Sequence, residues 1–505
     1  MTVWRLMAAV LLTIFFVAVS DAQSWQPINN APPFNPGAML LLTDGSVLVH
    51  SEPNCNTCQS TDYQSWYKLT PDINGSYVNG TWSKVATPPN GYAPLFFSSA
   101  VLPDGRVLVE GGEYQNGAAA WQTGGAIYDP VKNTWTAVAP PPGWTTIGDA
   151  QNVILPNGTY MQANCCTRQE AAFNPTNLTW TELAGKNKFD IHDEEGWTLL
   201  PNGKVLTVDA YVGQYNATGT NSEIYNPATQ TWSSAGSTIV QLWDSCNGVS
   251  QNASYELGPG VLRPDGTVFY SGAESCGTAH TAVYNSRTGV WTAGPDFPGI
   301  YSVSDGPAAL EPNGNVLVFA SPNTFYPPAG EFFEWNGATL SEMTPPPTAL
   351  ADSSFVGHLM VLPTGQIMFT DYSTNVEILN PAGSPQPGWE PTILNYPSSV
   401  QLGHSYQLAG TQFNGLSAAN AYGDDYQAAT NFPLVRIVNN ATGHVFYCRT
   451  HNHSTMAVAT GSQRVSTHFD VPANMETGPS QLFVVANGIS SSPVFVNVTP
   501  ASNRH

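Results

Sequence analysis

The side chains best suited to chemistry in this 505-residue chain are carboxylates that recur at one spacing before a tight turn. Asp149, Glu194 and Asp305 each stand nine residues before a turn glycine, and Glu256 stands ten residues before another. If these turns belong to equivalent repeats, the four carboxylates converge and repel one another unless a cation, a shared proton or water compensates them. Hard cations such as calcium prefer carboxylate and carbonyl oxygens. The spacing therefore predicts an acidic pocket that could hold a divalent cation.

The densest polar stretch is the segment 190–197, Asp-Ile-His-Asp-Glu-Glu-Gly-Trp. His192 within it is a further ligand candidate. So are His451 and His453 near the C-terminus, whose imidazole nitrogens would suit a borderline metal. The segment could instead be a polar loop whose side chains hydrogen-bond to backbone and water. A pair of carboxylates with separated pKa values would alternatively serve hydrolysis or elimination on a sugar.

Aromatic side chains in the predicted loops could stack on sugar rings. These are Tyr114, Trp121, Tyr211, Tyr215 and Tyr326. The alternative is that the rings pack the loops themselves. Carbohydrate is therefore the leading ligand class for the acidic pocket, without a particular sugar being indicated.

The chain has seven cysteines, and an extracellular location would permit disulfides. The set that the spacing favours is Cys55–Cys58, Cys165–Cys166 and Cys246–Cys276, with Cys448 left free. Sequence does not fix the connectivity, and the spacing of the first pair is also found in zinc and redox sites. A disulfide between the adjacent Cys165 and Cys166 would form a rigid, apolar lid beside the pocket.

The elements that must position these groups are hairpins built on a repeated turn. The stretch 101–109, Val-Leu-Pro-Asp-Gly-Arg-Val-Leu-Val, has an apolar run, a tight Asp-Gly turn and then aliphatic residues. This is the signature of a β-hairpin. The turn glycine recurs at positions 45, 105, 158, 203, 266, 314 and 365, with spacings of 45–63 residues. Such a period is typical of kelch-type propeller blades, so seven copies predict a seven-bladed, all-β propeller.

A second mark of the repeat is an aromatic residue followed seven residues later by tryptophan. The pairs are Tyr128/Trp135, Phe173/Trp180, Tyr225/Trp232 and Tyr284/Trp291. Rings of this size would fill the wedge between neighbouring blades. The last repeat lacks a tryptophan-bearing outer strand, whereas residues 24–27, Ser-Trp-Gln-Pro, read like one. We therefore expect the N-terminus to complete the last blade and close the ring, which removes exposed sheet edges.

The repeat stops near residue 388, where a second unit begins. Short alternating strands from 388 to 499 predict an immunoglobulin-like β-sandwich, followed by a tail at 500–505. Residues 1–22 look like a secretory signal, so that 23–387 forms the propeller. No later segment is long enough to span a membrane, and we expect a secreted, extracellular protein. A formal net charge of −21 argues against nucleic acid and anionic membranes as partners.

A secretory segment, a kelch propeller closed by its N-terminus and a C-terminal sandwich together resemble the galactose oxidase and glyoxal oxidase family. The stretches 422–425 (Tyr-Gly-Asp-Asp) and 447–451 (Tyr-Cys-Arg-Thr-His) look like the glyoxal-oxidase branch. The resemblance implies one copper ion on the propeller axis. Its ligands would be two Tyr and one His from innermost strands and a His from a C-terminal loop, and one Tyr would be cross-linked to a Cys to give a radical. The resemblance places these propeller residues at the same height before the turn glycine.

This chain departs from the family's ligand pattern at every one of those propeller positions. Phe96 stands where the family has the Cys, Asp149 where it has the cross-linked Tyr, and Phe355-Val356 where it has Tyr-His. Phe and Val bind no metal, and Phe forms no thioether. Only the C-terminal histidine has a counterpart, at His451 or His453. The sequence therefore predicts that the copper-radical cofactor is not retained.

These observations predict a secreted, galactose-oxidase-like propeller protein that recognises extracellular carbohydrate or another small polar ligand in an acidic axial pocket, with a divalent cation as candidate cofactor. One alternative is a non-redox carbohydrate hydrolase or lyase that uses the axial carboxylates. Another is a divergent copper-radical oxidase of alcohols or aldehydes. The axial residues discriminate among the three. An oxidase needs Tyr, Tyr, His and Cys within reach, a hydrolase needs two carboxylates at working distance, and a binding protein needs neither.

Overall fold

The computed structural model describes residues 23–53, 62–212, 219–246, 253–323, 327–423, 426 and 428–501. The predicted secretory segment, Cys55, Cys58, Tyr215 and Tyr326 lie outside the described residues. Regular structure in the described part is β, apart from short 3₁₀ helices at Pro89–Gly91, Ala349–Ala351, Ser354–Val356 and Pro387–Trp389. No helix in these ranges is long and apolar enough to cross a membrane.

The repeated turns form where the sequence predicts them, because each turn glycine adopts a left-handed conformation. The seven glycines from Gly45 to Gly365 have φ between +76° and +91°, a region that other L-residues rarely occupy. In the second turn the amide of Gly105 donates to the carbonyl of Leu102, and the amide of Leu102 donates to the carbonyl of Arg106, both at 2.8 Å. The carboxylate of Asp104 accepts from the Arg106 amide at 3.0 Å. Local turn chemistry therefore decides where each inner hairpin reverses.

Strand β1 (Ser24–Pro27) precedes a series of antiparallel sheets. The first sheet has β2 (Pro36–Leu41), β3 (Val47–Ser51), β4 (Trp66–Thr70) and β5 (Thr81–Lys84). The second sheet has β7 (Ser98–Val101), β8 (Val107–Glu110), β11 (Gly125–Asp129) and β12 (Thr134–Val138). A small sheet flanks it, made of β6 (Pro94–Leu95), β9 (Tyr114–Gln115) and β10 (Ala118–Ala119). The third sheet has β13 (Asn152–Ile154), β14 (Tyr160–Ala163), β15 (Glu170–Asn174) and β16 (Thr179–Glu182).

Four further sheets follow the same plan. The fourth has β17 (Thr198–Leu199), β18 (Val205–Val208), β19 (Asn221–Asn226) and β20 (Thr231–Ser237). The fifth has β21 (Gly260–Leu262), β22 (Thr267–Ser271), β23 (Thr281–Asn285) and β24 (Val290–Ala293). The sixth has β25 (Tyr301–Ser302), β26 (Ala308–Leu310), β27 (Val316–Pro322), β28 (Glu331–Trp335) and β29 (Leu340–Met343). The seventh has β30 (His358–Val361), β31 (Ile367–Thr370), β32 (Glu377–Asn380) and, as its outer strand, β1.

The C-terminal strands form one nine-stranded sheet. Its members are β33 (Thr392–Asn395), β34 (Ser399–Gln401), β35 (Ser405–Thr411), β37 (Leu434–Asn439), β38 (Val445–His451), β39 (Val465–Asp470), β40 (Gly478–Ala486), β41 (Ile489–Ser490) and β42 (Val494–Thr499). The first half of β38 pairs with β37 and its last three residues pair with β39, so β38 connects the two halves of this sheet. Buried apolar residues such as Phe413, Ile437 and Val484 belong to the core of this unit.

Tryptophans on the outer strands join most of the sheets to the preceding sheet; the outer strand of the sixth sheet, β29, has none. The predicted aromatic pairs lie directly opposite each other, as in Tyr128 against Trp135 with ring centroids 4.9 Å apart. The indole nitrogen of Trp135 donates at 2.8 Å to the carbonyl of Ala86, which lies just after the last strand of the first sheet. Trp25 on β1 donates to Thr344 after the sixth sheet at 3.1 Å. The N-terminal strand therefore occupies the outer position predicted for it and continues the same pattern of contacts.

One segment of the C-terminal unit passes between the innermost strands of the sheets. Strand β36 (Asn420–Ala421) pairs with the innermost strand β26 of the sixth sheet, and the amide of Val361 donates to Asn420 Oδ1 at 3.0 Å. Further on, the Tyr426 hydroxyl accepts from the amide of Phe96 at 2.8 Å. The described residues of this segment, 417–423, 426 and 428–432, are called the plug below, because they link the sixth, seventh and second sheets from the inside.

Candidate functional site

The chain bends in an unusual way just before several innermost strands. Glu194, Tyr255 and Asp305 have φ of 57°, 67° and 41°, and Phe96 has 49°. Before the third sheet the left-handed residue is Gly148, with φ of 69°, one residue ahead of Asp149. Left-handed backbone at non-glycine residues is costly and is held in place by surrounding structure, commonly at functional sites. Left-handed backbone therefore occurs at two of the predicted acidic residues, Glu194 and Asp305, and directly before the other two, Asp149 and Glu256.

Three of the predicted carboxylates meet. Oxygens of Glu194, Glu256 and Asp305, from the segments leading into the fourth, fifth and sixth sheets, all lie within 4.8 Å of one another. Asp149 is only 8% exposed, and its Oδ1 atom is buried without a hydrogen-bond partner. Asp305 Oδ1 is in the same situation. Carboxylate oxygens that converge in this way, with an unpaired oxygen on Asp305 among these residues, form a donor set for a hard cation.

The electrostatics of this cluster, called the axial cluster below, favour partial protonation when no cation is bound. Burial, and next the nearby Glu256, raises the pKa of Glu194 well above its usual range. Burial, and next the charge of Glu113, does the same to the pKa of Asp149. Burial raises the pKa of Asp305 to about 6, although a hydrogen bond from Glu256 opposes the shift. A divalent cation would relieve the same repulsion without protons.

Two further acids extend the axial cluster. Burial raises the pKa of Glu113 to about 7, helped by the charges of Asp305 and Asp193. Burial raises the pKa of Asp193 to about 6, while a hydrogen bond from Tyr211 opposes the shift. Sequence reasoning did not select Glu113. It follows Gly111-Gly112 after β8, and that double glycine was the only signal that the chain turns inward there.

The plug closes one side of the axial cluster. A Cβ atom at Gly423 would lie 2.6 Å from Asp305 Oδ1, and one at Gly196 would lie 2.4 Å from the Gly423 carbonyl. Only glycine permits such close approach of backbone to backbone and to a carboxylate. The Tyr-Gly stretch of the plug, which the sequence linked to the glyoxal-oxidase branch, therefore contacts the axial cluster directly. Asp424 and Asp425 lie outside the described residues.

Aromatic rings form a wall beside the carboxylates. Tyr211 and Tyr255 are stacked with centroids 4.4 Å apart and an interplanar angle of 15°. Tyr255 in turn is stacked on Trp243 at 5.6 Å and 12°. Tyr211 was among the loop aromatics singled out in the sequence, whereas Tyr255 and Trp243 were missed, because their side chains meet only once the fourth and fifth sheets are adjacent. Such a wall can stack on a sugar ring next to an acidic group.

His192 does not belong to the axial cluster, which corrects the sequence-based expectation. It is fully buried, with Nε2 3.2 Å from Glu170 Oε1 and Nδ1 3.7 Å from Glu195 Oε2. The segment 190–197 forms no regular strand, and its backbone is left-handed at Glu194. His192 therefore faces the interior between the third and fourth sheets, where burial lowers the pKa of its imidazole.

The rest of the dense acidic stretch surrounds a buried lysine. Lys188 Nζ pairs with Asp190, lies 2.7 Å from Glu195, 3.4 Å from Asp209 and 2.9 Å from Glu223, and is not exposed. Burial lowers the pKa of this ammonium, but the four carboxylates outweigh burial and leave it well above its usual range. In this lysine cluster, the Lys188 ammonium occupies the central position that a metal ion would take among the same carboxylates.

His451 and His453 also lie elsewhere than predicted. His451, at the end of β38, has Nε2 3.1 Å from Asp470 Oδ1. His453 has Nδ1 2.9 Å from Thr467 Oγ1. The adjacent amide of Asn452 donates to Pro103 at a hairpin turn of the second sheet, at the opposite end of innermost strand β7 from Phe96. The C-terminal segment that does reach the axial cluster is the plug, whose described residues include tyrosines but no histidine.

The cysteines agree with the prediction in part. Cys246 and Cys276 form a disulfide, and Cys448 is free and buried. Cys165 and Cys166 are free thiols with their sulfurs 2.8 Å apart, so the predicted bond between them is wrong for this structure. Adjacent Cα atoms stand about 3.8 Å apart, below the usual range of about 4.4–6.8 Å for a disulfide.

The positions at which the family resemblance implies copper ligands do not fit a copper-radical centre. Phe96, Phe355 and Val356 line a cavity of about 200 Å³ with Glu52, Tyr63, Tyr114 and Tyr372 among its other walls. Hydrocarbon side chains at those three positions donate nothing to a metal. A larger cavity of about 520 Å³ lies among the hairpin turns of the sixth and seventh sheets and Gly488, and no ionisable side chain lines it.

Comparison with known proteins gives the class of fold. No protein-family model matches the chain. A fungal alcohol oxidase of the AA5 family, solved in complex with copper, matches 94% of this chain and 99% of its own, with a TM-score of 0.52 and 15% identity. The Kelch-like protein terF of Aspergillus terreus is 26% identical over 129 residues, 25% of this chain and 26% of that protein. The match thus spans about a quarter of that relative.

The chain therefore has the all-β, kelch-type fold of the galactose and alcohol oxidases. At 15% identity the likeness to the fungal oxidase shows the fold alone. A streptogramin B lyase matches 72% of this chain and 98% of its own at 10% identity, with a TM-score of 0.47, which is too low to inform function. What the site does must be argued from its own residues.

Proposed function

We propose that the sheets are the blades of a seven-bladed kelch-type propeller, residues 23–387, closed by β1 and followed by an immunoglobulin-like sandwich at 388–499. The tryptophan contacts between successive sheets and the pairing of β1 with β32 support the closed ring. Residues 1–22 act as a secretory signal in this proposal and 500–505 as a tail. The protein works outside the cell.

The function we propose is recognition of extracellular carbohydrate through a divalent cation held by the axial cluster, without a copper-radical cofactor. The observation that carries it is the convergence of Glu194, Glu256 and Asp305 within 4.8 Å, together with the unpaired buried oxygens of Asp149 and Asp305. Four acids whose charges are mutually unfavourable bind a calcium-like ion in preference to staying ionised alone. A bound cation would then coordinate sugar hydroxyl oxygens.

Calcium titration tests the cation site. Metal-stripped protein titrated with Ca²⁺ near neutral pH should bind about one ion per chain through these oxygen ligands. Glu256→Gln removes one charged ligand and should weaken binding at least tenfold. Glu182→Gln is the matched control, because Glu182 is exposed on outer strand β16. Equal affinity in wild type and Glu256→Gln would refute the site.

The stacked rings of Tyr211, Tyr255 and Trp243 supply the recognition surface for the sugar in this proposal. Removal of one stacking ring costs about 1 kcal/mol or more of binding free energy. Tyr211 is the partly exposed ring at the end of this stack, so Tyr211→Ala should reduce retention on a glycan array about fivefold while calcium binding stays unchanged. Chelation of calcium should abolish retention of the wild type. Retention that survives chelation would contradict a cation-dependent lectin-like role.

Hydrolysis or elimination is the second candidate function, and the raised pKa of Glu113 favours it. A carboxyl with a pKa near 7 can donate a proton to a leaving group at neutral pH, while a neighbour of lower pKa stays ionised. Incubation of polysaccharides with the wild type should then release reducing ends that Glu113→Gln does not release. Absence of products from a broad polysaccharide panel leaves the binding function as the account of the site.

A further inference from the structure

Two carboxyl groups hold the residue that follows the predicted secretory segment. The side-chain amide of Gln23 donates from Nε2 to Glu311 Oε1 at 3.0 Å and to Glu334 Oε2 at 3.1 Å. Glu311 directly follows innermost strand β26 of the sixth sheet, and Glu334 lies on β28 of the same sheet. The three residues are far apart in sequence, so these contacts form only when the N-terminal strand reaches the sixth and seventh sheets.

Both carboxyl groups are fixed by further hydrogen bonds. Asn313 Nδ2 donates to Glu311 Oε2, and Asn315 Nδ2 donates to Glu334 Oε1, each at 2.7 Å. Glu311 is 1% exposed. Each of the four carboxyl oxygens therefore accepts an amide N–H group, and Gln23 Nε2 supplies two of these groups. The pair is a preformed holder for a side-chain amide.

The pair of glutamates keeps a proton at neutral pH. Burial, and next the charge of Glu334, raises the pKa of Glu311 to about 8, although hydrogen bonds from Asn313 and Gln23 oppose the shift. A carboxyl group whose pKa lies near the working pH is suited to general acid catalysis. The atom that it faces, at 3.0 Å, is the nitrogen of the Gln23 amide.

The surroundings of Gln23 leave space for a change at its main chain. A cavity of about 210 Å³ lies beside it, with Trp25, Glu342 and Thr344 among the other walls. Strand pairing begins one residue later, where Ser24 lies opposite Asn380. The main-chain nitrogen of Gln23 therefore precedes the ladder that fixes β1.

We propose that Gln23, once released as the N-terminal residue, cyclises to pyroglutamate with Glu311 and Glu334 as catalytic residues. This inference rests on the secretory boundary proposed above. The main-chain amine of Gln23 attacks its own side-chain carbon Cδ, and the Cδ–Nε2 bond breaks. The proton of the carboxyl pair goes to Nε2, which leaves as ammonia, and the pair takes up the proton that the amine loses. The reaction therefore needs no co-reactant, and the chain becomes lighter by one ammonia molecule.

The ionisation states suit this reaction. An N-terminal amine has a pKa of about 7.7–8.0, so a part of it is neutral and nucleophilic at the pH at which the carboxyl pair still holds its proton. The product has no N-terminal amine, which aminopeptidases need in order to begin. Chain termini are where proteolysis concentrates, so cyclisation protects β1, the outer strand of the seventh sheet.

Release of Gln23 at a defined time tests the catalysis. The mature chain carries a removable extension that a protease cuts directly before Gln23, and intact-mass spectrometry follows the loss of ammonia near neutral pH. Glu311→Gln should slow this loss about 100-fold, the lower end of the usual contribution of general acid–base catalysis. Glu342→Gln is the matched control, because Glu342 lines the same cavity but is not one of the two glutamates that hold the amide. Equal rates in the wild type and a folded Glu311→Gln variant would overturn the proposal.

The unfolded wild type covers the case in which Glu311→Gln does not fold. In concentrated urea the glutamates no longer face the Gln23 amide, so the loss of ammonia should be about 100-fold slower than in the folded protein. It should then match the rate of a synthetic peptide with the sequence of residues 23–27. Equal rates in the folded and unfolded protein would overturn the proposal.

The N-terminal peptide of the secreted protein separates this proposal from the boundary on which it rests. Peptide mapping is expected to show pyroglutamate at position 23. Gln23 with a free amine would overturn catalysis by the two glutamates and leave the boundary intact. A terminus at another residue would overturn the boundary and this proposal with it. The calcium titration above tests the axial cluster independently of both results.

Discussion

At the scale of single residues, Lys188 shows how the fold uses charge without a metal. Its ammonium is buried among four carboxylates from the segments of the third and fourth sheets. The axial cluster has the same kind of carboxylate convergence but no ammonium within it among the described residues. The lysine cluster therefore contains its own cation, the Lys188 ammonium, whereas the axial cluster contains none among the described residues. Of these two clusters, only the axial cluster is a candidate for binding a metal ion.

Lys188→Met should destabilise the protein by about 3–5 kcal/mol, because removal of one partner leaves buried carboxylates uncompensated. Lys132→Met is the control. Lys132 is 74% exposed and lies 2.8 Å from Asp129, and such surface pairs contribute at most about 1 kcal/mol. Urea denaturation of both variants measures the difference. Equal free energies of unfolding would show that the lysine cluster does not stabilise the fold.

The raised pKa of Glu113, about 7, predicts a specific pH dependence. The folded protein holds this proton to higher pH than the unfolded chain does, so this group contributes stability below its unfolded pKa. That contribution is lost as the pH rises from about 4 to about 7. The melting temperature of the wild type should therefore fall more between pH 5 and pH 8 than that of Glu113→Gln. If the melting temperatures of the two proteins fell equally between pH 5 and pH 8, the result would contradict a raised pKa of Glu113.

At the scale of elements, the hairpins were predictable because their signals are local. Turn glycines, the Asp or Asn before them and the paired aromatic and Trp residues all act within about ten residues along the chain. His192 was misplaced because the segment 190–197 is an irregular loop, left-handed at Glu194, and not part of an innermost strand. The Cys165–Cys166 bond was expected from adjacency alone, which ignores the geometry that a disulfide requires.

Gly105→Ala should lower the free energy of unfolding by about 1–2 kcal/mol, because left-handed backbone is costly at a residue with a Cβ atom. Gly105 has φ of +84°, and a Cβ there would lie 2.8 Å from Thr43 Oγ1. Gly388→Ala is the control, because nothing lies within 4 Å of the added atom. Thermal denaturation compares the two variants. A Gly105→Ala protein as stable as the Gly388→Ala protein would show that the turn does not need its glycine.

At the scale of the whole molecule, the sequence predicted the pairing of β1 with the seventh sheet but not the plug. That pairing could be predicted because β1 has the tryptophan pattern that the last repeat lacks. The plug could not, because its contacts join residues far apart in sequence, such as Tyr426 and Phe96, which are 330 positions apart. A similar distance in sequence hid the meeting of Gln23 with Glu311. Long-range packing, which no local pattern reports, therefore accounts for the residues that were missed.

Deletion of residues 23–27 should open the ring. The edge of β32 would be exposed, and the contacts of Trp25 with Thr344 and Phe332 would be lost. Exposed edges pair with other chains, so we expect a lower melting temperature and aggregation on heating. Deletion of residues 502–505 is a truncation of similar length at the other end and should change neither property. Equal melting temperatures for the two truncations would contradict closure by β1.

The metal content of purified mature protein, dialysed against trace calcium and copper, tests the central claim most directly. The account predicts about one calcium per chain at the axial cluster. It also predicts no radical absorption after mild oxidation, because Phe96, Phe355 and Val356 offer no copper ligands. About one copper per chain together with a radical absorption band would contradict the account and would identify the protein as an oxidase.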